Sequence, residues 1–143
     1  MPKADVIEND LLKLLFNATA IANIADNAAS SPLTSLYVSL HTGDPGEAGN
    51  QTTSEIAYTG YARVAVLRNG TGWTVTGSSV SPAAAITFGA MTAGAGGTVT
   101  HFAVGTAVSG TGKILYSGTV TPNIAVTNGV TPQLTTASAI TEE

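Results

Sequence analysis

The sequence has no cysteine and few charged residues. Without cysteine, neither disulfide bonds nor thiolate metal ligands can stabilise the fold, so a hydrophobic core must do so. Charged residues make up 10% of the 143 positions, against about a quarter in ordinary soluble domains. The five cations, Lys3, Lys13, Arg63, Arg68 and Lys113, are too few to form the basic stripe that nucleic-acid binding requires. We therefore expect no nucleic-acid partner.

The shortage of charge is greatest in the second half of the chain. Between Asn69 and Thr141 the one charged residue is Lys113, and Thr, Ser, Gly, Ala and Val dominate the stretch. Hydroxyl groups can be wetted, but they lack the repulsion that keeps neighbouring copies apart. We interpret the protein as one that packs against other protein, including itself as a homodimer or homotrimer.

Long apolar runs are also missing. No run reaches the roughly 18 apolar residues of a membrane span. The first residues lack a basic segment followed by an unbroken apolar one, so we expect neither a signal peptide nor a membrane location. The net charge of −4 and the length fit one acidic domain, made in a cytoplasm.

The first 30 residues predict an amphipathic helix. Apolar residues recur at spacings of three and four, at Leu11, Leu14, Leu15, Ala18, Ile21, Ala22 and Ala25. Asp5 and Glu8 are spaced as in a capping box, and Pro32 marks the end. We expect a helix over residues 6–28, either continuous or broken near residues 17–19. Its face of Leu11, Leu14, Leu15 and Ile21 packs on the core or, alternatively, forms a partner interface.

After Pro32 the apolar period changes to two, which predicts strands. The first run is 36–41, and others lie at residues 61–68, 72–76, 84–88, 98–104, 113–120, 124–126 and 133–140. Glycine and asparagine turn signals separate them. We predict a mainly β fold, an antiparallel β-sandwich or jelly roll of about eight strands, with residues 1–30 as a helical segment and 31–143 as the sandwich. The polar loop 42–59 is expected to be a surface excursion.

The residues that most resemble parts of a catalytic or metal site are the two histidines and the carboxylates near His41. His41 and His101 lie in strand patterns without an accompanying nucleophile, so we assign no catalytic residue. His41, Asp44 and Glu47 recur every third residue, but the turn at Pro45 keeps them off one face, so we assign no metal. We assign no cofactor either.

Two further motifs receive structural interpretations. Residues 110–113 (GTGK) lack the earlier glycine and the following hydroxyl residue of a phosphate-binding loop. The aromatic residues could form a sugar-binding platform, but core or interface positions are favoured for them. They are Trp73, Tyr37, Tyr58, Tyr61 and Tyr116.

Three strings resemble a family of small phage and prophage proteins. They are residues 36–49 (LYVSLHTGDPGEAG), 60–66 (GYARVAV) and 97–105 (GTVTHFAVG). Members are commonly labelled tail fibre or minor tail proteins, and related small sandwich proteins act as capsid cement or decoration proteins. The likeness extends from Ala4 to about Ile140 and implies a virion component.

The sequence favours the capsid over the tail as the place of the protein in the virion. No sustained heptad pattern predicts a fibre shaft, so our main hypothesis is a non-enzymatic capsid cement protein that bridges major capsid subunits. The alternative is a tail fibre or minor tail protein that contributes to tail structure or binds host-surface carbohydrate, with tail proteins as partners. An enzyme would need paired carboxylates that the sequence does not indicate.

Overall fold

The computed structural model describes residues 5–21 and 32–142. Within these ranges the chain has one helix and nine strands. They are α1 (Asp5–Phe16), β1 (Ser35–His41), β2 (Val64–Leu67), β3 (Trp73–Thr76), β4 (Ser79–Pro82), β5 (Ile86–Thr87), β6 (Gly97–Gly105), β7 (Ile114–Val126), β8 (Gln133–Leu134) and β9 (Ile140–Thr141). The predicted fold class, mainly β with antiparallel strands after an N-terminal helix, is confirmed.

The described strands form three sheets, with orders β2-β1-β6-β7, β3-β4-β9 and β5-β8. The central pairing of the first sheet, β1 with β6, is antiparallel and places His41 opposite His101. β6 also pairs antiparallel with β7, and the register shifts between Val99 and His101 and again between Val104 and Gly105. β7 therefore occupies one edge of the four-stranded sheet.

The observed strands differ from the predicted ones in three places. Residues 113–120 and 124–126 belong to one strand, β7, because an edge strand can carry Pro122 without losing a bond to an outer neighbour. Residues 133–140 contain two strands, since a turn at Thr135 and Ser138 separates β8 from β9. β4 was not predicted; it pairs with β3 across a hairpin turn that contains Gly77, whose φ is 59°.

The chain folds as two compact units, each assembled from separate parts of the sequence. Unit 1 comprises Met1–Ser35, Val66–Ala85 and Thr135–Glu143, and unit 2 comprises Leu36–Ala65 and Ile86–Leu134. The expected division into residues 1–30 and 31–143 stays a prediction, because residue 30 lies outside the described ranges.

In unit 1, helix α1 packs against the hairpin of β3 and β4. Its most buried side chains are Glu8, Leu12 and Phe16, spaced four residues apart. The Phe16 ring meets Trp73 edge to face, with ring centroids 4.8 Å apart. Asn9 Nδ2 donates a hydrogen bond to the Gly77 carbonyl at 2.6 Å, which fixes the helix over the hairpin turn.

The continuous form of the helix predicted over residues 6–28 is wrong, because α1 ends at Phe16. Ala18 adopts a left-handed conformation with φ 52°. The amides of Asn17 and Thr19 both donate to the Lys13 carbonyl, the bonding pattern of a helix C-cap. The break expected near residues 17–19 is therefore confirmed, and the continuation through residues 22–28 lies outside the described residues.

Arg68 also holds the end of this helix. Its Nε donates to the Leu15 carbonyl at 2.6 Å, Nη2 donates to the Leu14 carbonyl, and Nη1 donates to the Leu33 carbonyl at 3.3 Å. Burial lowers the pKa of Arg68, but guanidinium groups stay protonated in proteins. The cation thus lies at the negative end of the helix dipole, where it satisfies carbonyls that lack helical partners.

We expect the Arg68→Ala variant to be about 1.5–3 kcal/mol less stable, because it removes charged hydrogen bonds to partly buried carbonyls. Arg68→Lys should recover part of that loss, since an ammonium group keeps the charge but not the fork of donors. Urea unfolding measures both. Thr136→Ala, which removes an exposed side chain in a turn of the same unit, is the control and should change stability by less than about 0.5 kcal/mol; an equal loss in the Arg68→Ala and Thr136→Ala variants contradicts the capping role.

Candidate functional site

An open groove of about 420 Å³ lies in unit 2 between a loop and the first half of β7. Asp44, Gly46, Glu47 and Gly49 line one wall, and Ile114, Leu115, Tyr116 and Ser117 line the other. Alternate side chains of a strand point to opposite faces of its sheet. That alternation is interrupted within the four lining residues, because the register of β7 with β6 shifts between Val104 and Gly105 and leaves Leu115 without a partner residue. The groove therefore lies against the bulged first part of the edge strand β7.

The loop wall of the groove is shaped by a tight turn. Asp44 Oδ1 accepts a hydrogen bond from the Gly46 amide at 2.9 Å, and Gly46 has φ 69°, a conformation that favours glycine. At Gly49 a Cβ atom would collide with the Pro45 carbonyl. Asp44 and Glu47 are exposed, so this turn presents two carboxylates to solvent at the groove.

Behind the groove, the loop over residues 42–59 is anchored by Gln51, which is fully buried. Its Nε2 donates to the Tyr37 carbonyl at 3.1 Å, and its Oε1 accepts from the Ala107 amide at 3.0 Å. The backbone N–H of Gln51 donates to the Gly112 carbonyl at 3.0 Å. Because Ile56 and Tyr58 of the same loop are also buried, the expectation of a simple surface excursion is wrong.

Glycine makes room for the Gln51 side chain. A Cβ atom at Gly105 would collide with the amide group of Gln51, and one at Gly112 would collide with Gln51 Oε1 and approach Ala107. Strand β6 therefore ends on a glycine because the buried amide occupies the space that a side chain would need.

A second anchor is the ion pair of Arg63 and Glu55, whose side chains are 3% and 15% exposed. Arg63 Nε donates to Glu55 Oε1 at 2.8 Å and Nη2 to Oε2 at 2.7 Å. Nη1 also donates to the Ala107 carbonyl at 2.9 Å and Nη2 to the Gly110 carbonyl at 2.7 Å. The hydrogen bonds that Arg63 donates to Glu55 raise the pKa of Arg63. Through these four hydrogen bonds the guanidinium ties loop 42–59 to the loop over residues 106–112.

Tyr61 connects this ion pair to the sheet. Its hydroxyl donates to Glu55 Oε1 at 2.8 Å and accepts from the Leu40 amide at 3.1 Å. Burial raises the pKa of Tyr61, and its ring stacks on Phe88 with 6.2 Å between centroids. Tyr61 is therefore a structural hydrogen-bonding residue, as is Tyr58, whose hydroxyl donates to the Gly89 carbonyl at 2.8 Å.

His41 is fully buried in β1. Its Nδ1 lies 2.8 Å from the Thr53 carbonyl and its Nε2 lies 2.9 Å from Ser39 Oγ. Since a carbonyl only accepts, Nδ1 carries the proton and Nε2 accepts from the Ser39 hydroxyl. Burial lowers the pKa of His41. Both ring nitrogens of the neutral imidazole are thus occupied, and neither is available for catalysis or metal binding.

The other residues that the sequence suggested as site candidates lie at separate positions in the structure. His101 is half-buried and bonds Thr100 Oγ1 at 2.9 Å. Trp73 is buried in the core of unit 1. In the GTGK segment, the Gly110 carbonyl accepts a hydrogen bond from Arg63, and the Gly112 carbonyl accepts one from the Gln51 backbone amide. No group of three or more His, Asp or Glu side chains that could hold a metal occurs within residues 5–21 and 32–142.

The four residues proposed from sequence as a partner interface lie in unit 1. Leu11, Leu14 and Leu15 are half-buried, and Ile21 is buried. The deepest face of the helix is the one that carries Leu12 and Phe16 instead. A partner interface at the four residues stays a prediction.

The comparison with known families identifies the chain. A family model described as podophage GP4 fiber I protein gp80 matches residues 2–141. The chain belongs to this family of phage fibre proteins. None of the curated proteins compared with the chain matches it. In the described part of the chain, no helix is long and apolar enough to cross a membrane.

The membership confirms the resemblance to phage virion proteins that the three sequence strings indicated, and the protein is a phage structural protein. The groove along β7, the Gln51 anchor and the Arg63–Glu55 pair were all missed. Arg63 offered one signal, because an arginine among the apolar residues of a strand pattern is fully buried only when it is paired.

We expect stability to fall as pH drops below about 6.5, the usual pKa of histidine. The pKa of His41 is lower in the folded state than in the unfolded chain, so the unfolded state binds more protons in this range. His41→Gln removes the titrating group and should flatten the curve below pH 6.5, whatever its stability at pH 8. Urea unfolding between pH 8 and pH 5 measures the slope; His101→Gln is the matched control, and an unchanged slope in the His41 variant contradicts the assignment.

We expect Gly105→Ala to destabilise the protein by about 1–3 kcal/mol, as overpacking of a core does. The new Cβ meets Gln51 alone among its nearest atoms, so in a Gln51→Ala background the same substitution should cost less. The double-mutant cycle gives the coupling energy by urea unfolding. Additive effects of the two substitutions are the outcome that the structure does not permit.

Proposed function

We propose that the protein is a non-enzymatic structural subunit of a podophage tail fibre. The observation that carries the proposal is the family match, which extends over residues 2–141 and therefore includes nearly the whole chain. A match of this extent concerns the fold itself rather than a shared motif. The fibre alternative of the sequence analysis is thus favoured over the capsid cement hypothesis, which has no comparable support.

The surface chemistry supports an assembly role. Thr98, Thr119 and Thr121 are exposed on β6 and β7, and Lys113 is the one charged residue between Asn69 and Thr141. A hydroxyl group loses less solvation energy than a charged group does when another protein covers it, and a charged group then requires a partner of opposite charge. Such a surface suits a subunit that stays in contact with neighbouring proteins of an assembly.

The internal chemistry supports a structural role over an enzymatic one. His41, Glu55 and Arg63 are the groups that catalysis would most readily use, and all three have their polar atoms bonded within the fold. The exposed carboxylates Asp44 and Glu47 lie at the groove without a buried acid beside them among the residues lining it. General acid catalysis at a glycosidic bond needs such a second, protonated carboxyl group.

We expect antibodies against the protein to label the tails of purified virions, with a copy number of about a few tens per particle that follows the symmetry of the tail. Immunogold electron microscopy and quantitative mass spectrometry measure the two quantities. An antibody against the major capsid protein is the control. Labelling of the head with hundreds of copies would overturn the fibre proposal in favour of the cement hypothesis.

A further inference from the structure

We propose that Asn69 is a site of spontaneous covalent modification, where the fold directs deamidation to aspartate and isoaspartate. The chain has two Asn-Gly pairs, Asn69-Gly70 and Asn128-Gly129. An asparagine followed by glycine is prone to this reaction, because glycine has no Cβ to hinder its own amide nitrogen and constrains the backbone least. The structure leaves the first pair open to reaction and protects the second.

The reaction is an internal acyl transfer that consumes only water. The amide nitrogen of Gly70 loses its proton to solvent and forms a bond to the side-chain carbonyl carbon, Cγ, of Asn69. The Cγ–Nδ2 bond then breaks, and the leaving nitrogen takes up a proton and departs as ammonia. Water adds to one of the two carbonyls of the resulting succinimide ring and opens the ring. Opening at one carbonyl gives aspartate, and opening at the other gives isoaspartate.

The attacking nitrogen is accessible at the first pair. Gly70 is exposed, and a Cβ atom built on it would meet no other atom within 4 Å. In the part of the chain that the structure describes, the Gly70 amide donates no hydrogen bond. An amide that is open to solvent exchanges its proton more readily than one bonded to a carbonyl, because no hydrogen bond has to break first.

The carbon that is attacked is activated by the turn around it. Asn69 Oδ1 accepts hydrogen bonds from the Thr71 amide at 2.9 Å and from the Gly72 amide at 3.2 Å. Negative charge develops on Oδ1 when the Gly70 nitrogen attacks, and preorganised N–H donors stabilise such an oxyanion. Asn69 Nδ2 donates no hydrogen bond to any described residue. The fold therefore supports the attack and does not retain the leaving group.

The second pair is protected at both reacting groups. The Gly129 amide donates to the Met91 carbonyl at 2.8 Å, so its proton is held. When the side-chain amide of Asn128 is oriented to satisfy its neighbours, Nδ2 donates to the Thr92 carbonyl at 3.1 Å and to the Met91 carbonyl at 3.2 Å. Two hydrogen bonds thus retain the nitrogen that must leave, although Asn128 is itself exposed.

Modification at Asn69 changes both charge and backbone. A carboxylate appears at the start of a stretch, residues 69–141, in which Lys113 is the one charged residue. In the isoaspartate form the chain runs through the former side chain, so the carbonyl that accepts from the Gly72 and Trp73 amides is no longer part of the backbone. The turn that leads into β3 is then disrupted, whereas the aspartate form keeps this carbonyl.

The preference between the two pairs is measured on the wild-type protein during incubation at mildly alkaline pH. Trypsin separates the pairs, because it cleaves after Arg68 and Lys113, and mass spectrometry follows each conversion as a gain of about 1 Da. In the folded protein, Asn69 should convert at least about tenfold faster than Asn128, since local opening must precede reaction of the protected pair. In guanidinium chloride the two rates should agree within about threefold, because the unfolded chain protects neither pair.

Two outcomes of this comparison overturn the proposal. Equal rates in the folded protein, or a faster reaction of Asn128, show that the open amide and the turn do not direct the reaction. A preference of the same size in guanidinium chloride shows that the fold plays no part.

Gly70→Ala tests the attacking nitrogen. The added Cβ has open space, so the variant should fold, which circular dichroism checks, and its conversion at Asn69 should be about tenfold slower because the Cβ hinders attack. Thr136→Ala is the control and should leave the rate unchanged. Chromatography of the wild-type peptides should show isoaspartate at residue 69. An unchanged rate in Gly70→Ala, or aspartate as the sole product, indicates direct hydrolysis of the side chain by water and overturns the proposal.

Discussion

The buried guanidinium of Arg63 is the constraint on which the loops of unit 2 depend. A buried cation must have its charge and its N–H donors satisfied. Here a carboxylate, Glu55, and two carbonyls, those of Ala107 and Gly110, supply the partners. Two loops that are distant in sequence are thereby fixed to one side chain. Removing one member of a buried ion pair typically costs about 3–5 kcal/mol, which is a large share of the stability of a domain.

Loops that are fixed by buried hydrogen bonds keep their outer surfaces free for contact. Gln51 and Arg63 bond the backbone of the loop over residues 106–112 from within, so the exposed tip at Val108 is positioned without using its own side chain. In the same way Gln51 fixes loop 42–59 while Asp44 and Glu47 remain exposed. Preorganised loops lose little conformational entropy on binding, which suits a subunit that assembles.

The sequence predicted those elements whose side chains alternate. β1, β3 and β6 follow from their period of two in sequence, although residues 38–41 of β1 and 102–105 of β6 are buried on both faces of the sheet. β4 was missed although Gly77 and Ser78 are typical of a two-residue hairpin turn and its burial alternates, because the strand has only four residues and one of them is Pro82. The Arg68 contacts at the end of α1 and the Gln51 anchor join residues far apart along the chain, and no local pattern encodes those.

The low charge of the chain extends to the edge strand β7. An uncharged edge strand on a freely diffusing protein invites association with any exposed strand, so selection usually places lysine along it. In β7 the single cation, Lys113, lies just before the strand, and the acidic turn of Asp44 and Glu47 lies beside its first half. With so little charge along it, the edge of β7 is protected instead by the register shift at Leu115 and by Pro122, two features that hinder the pairing of a further strand.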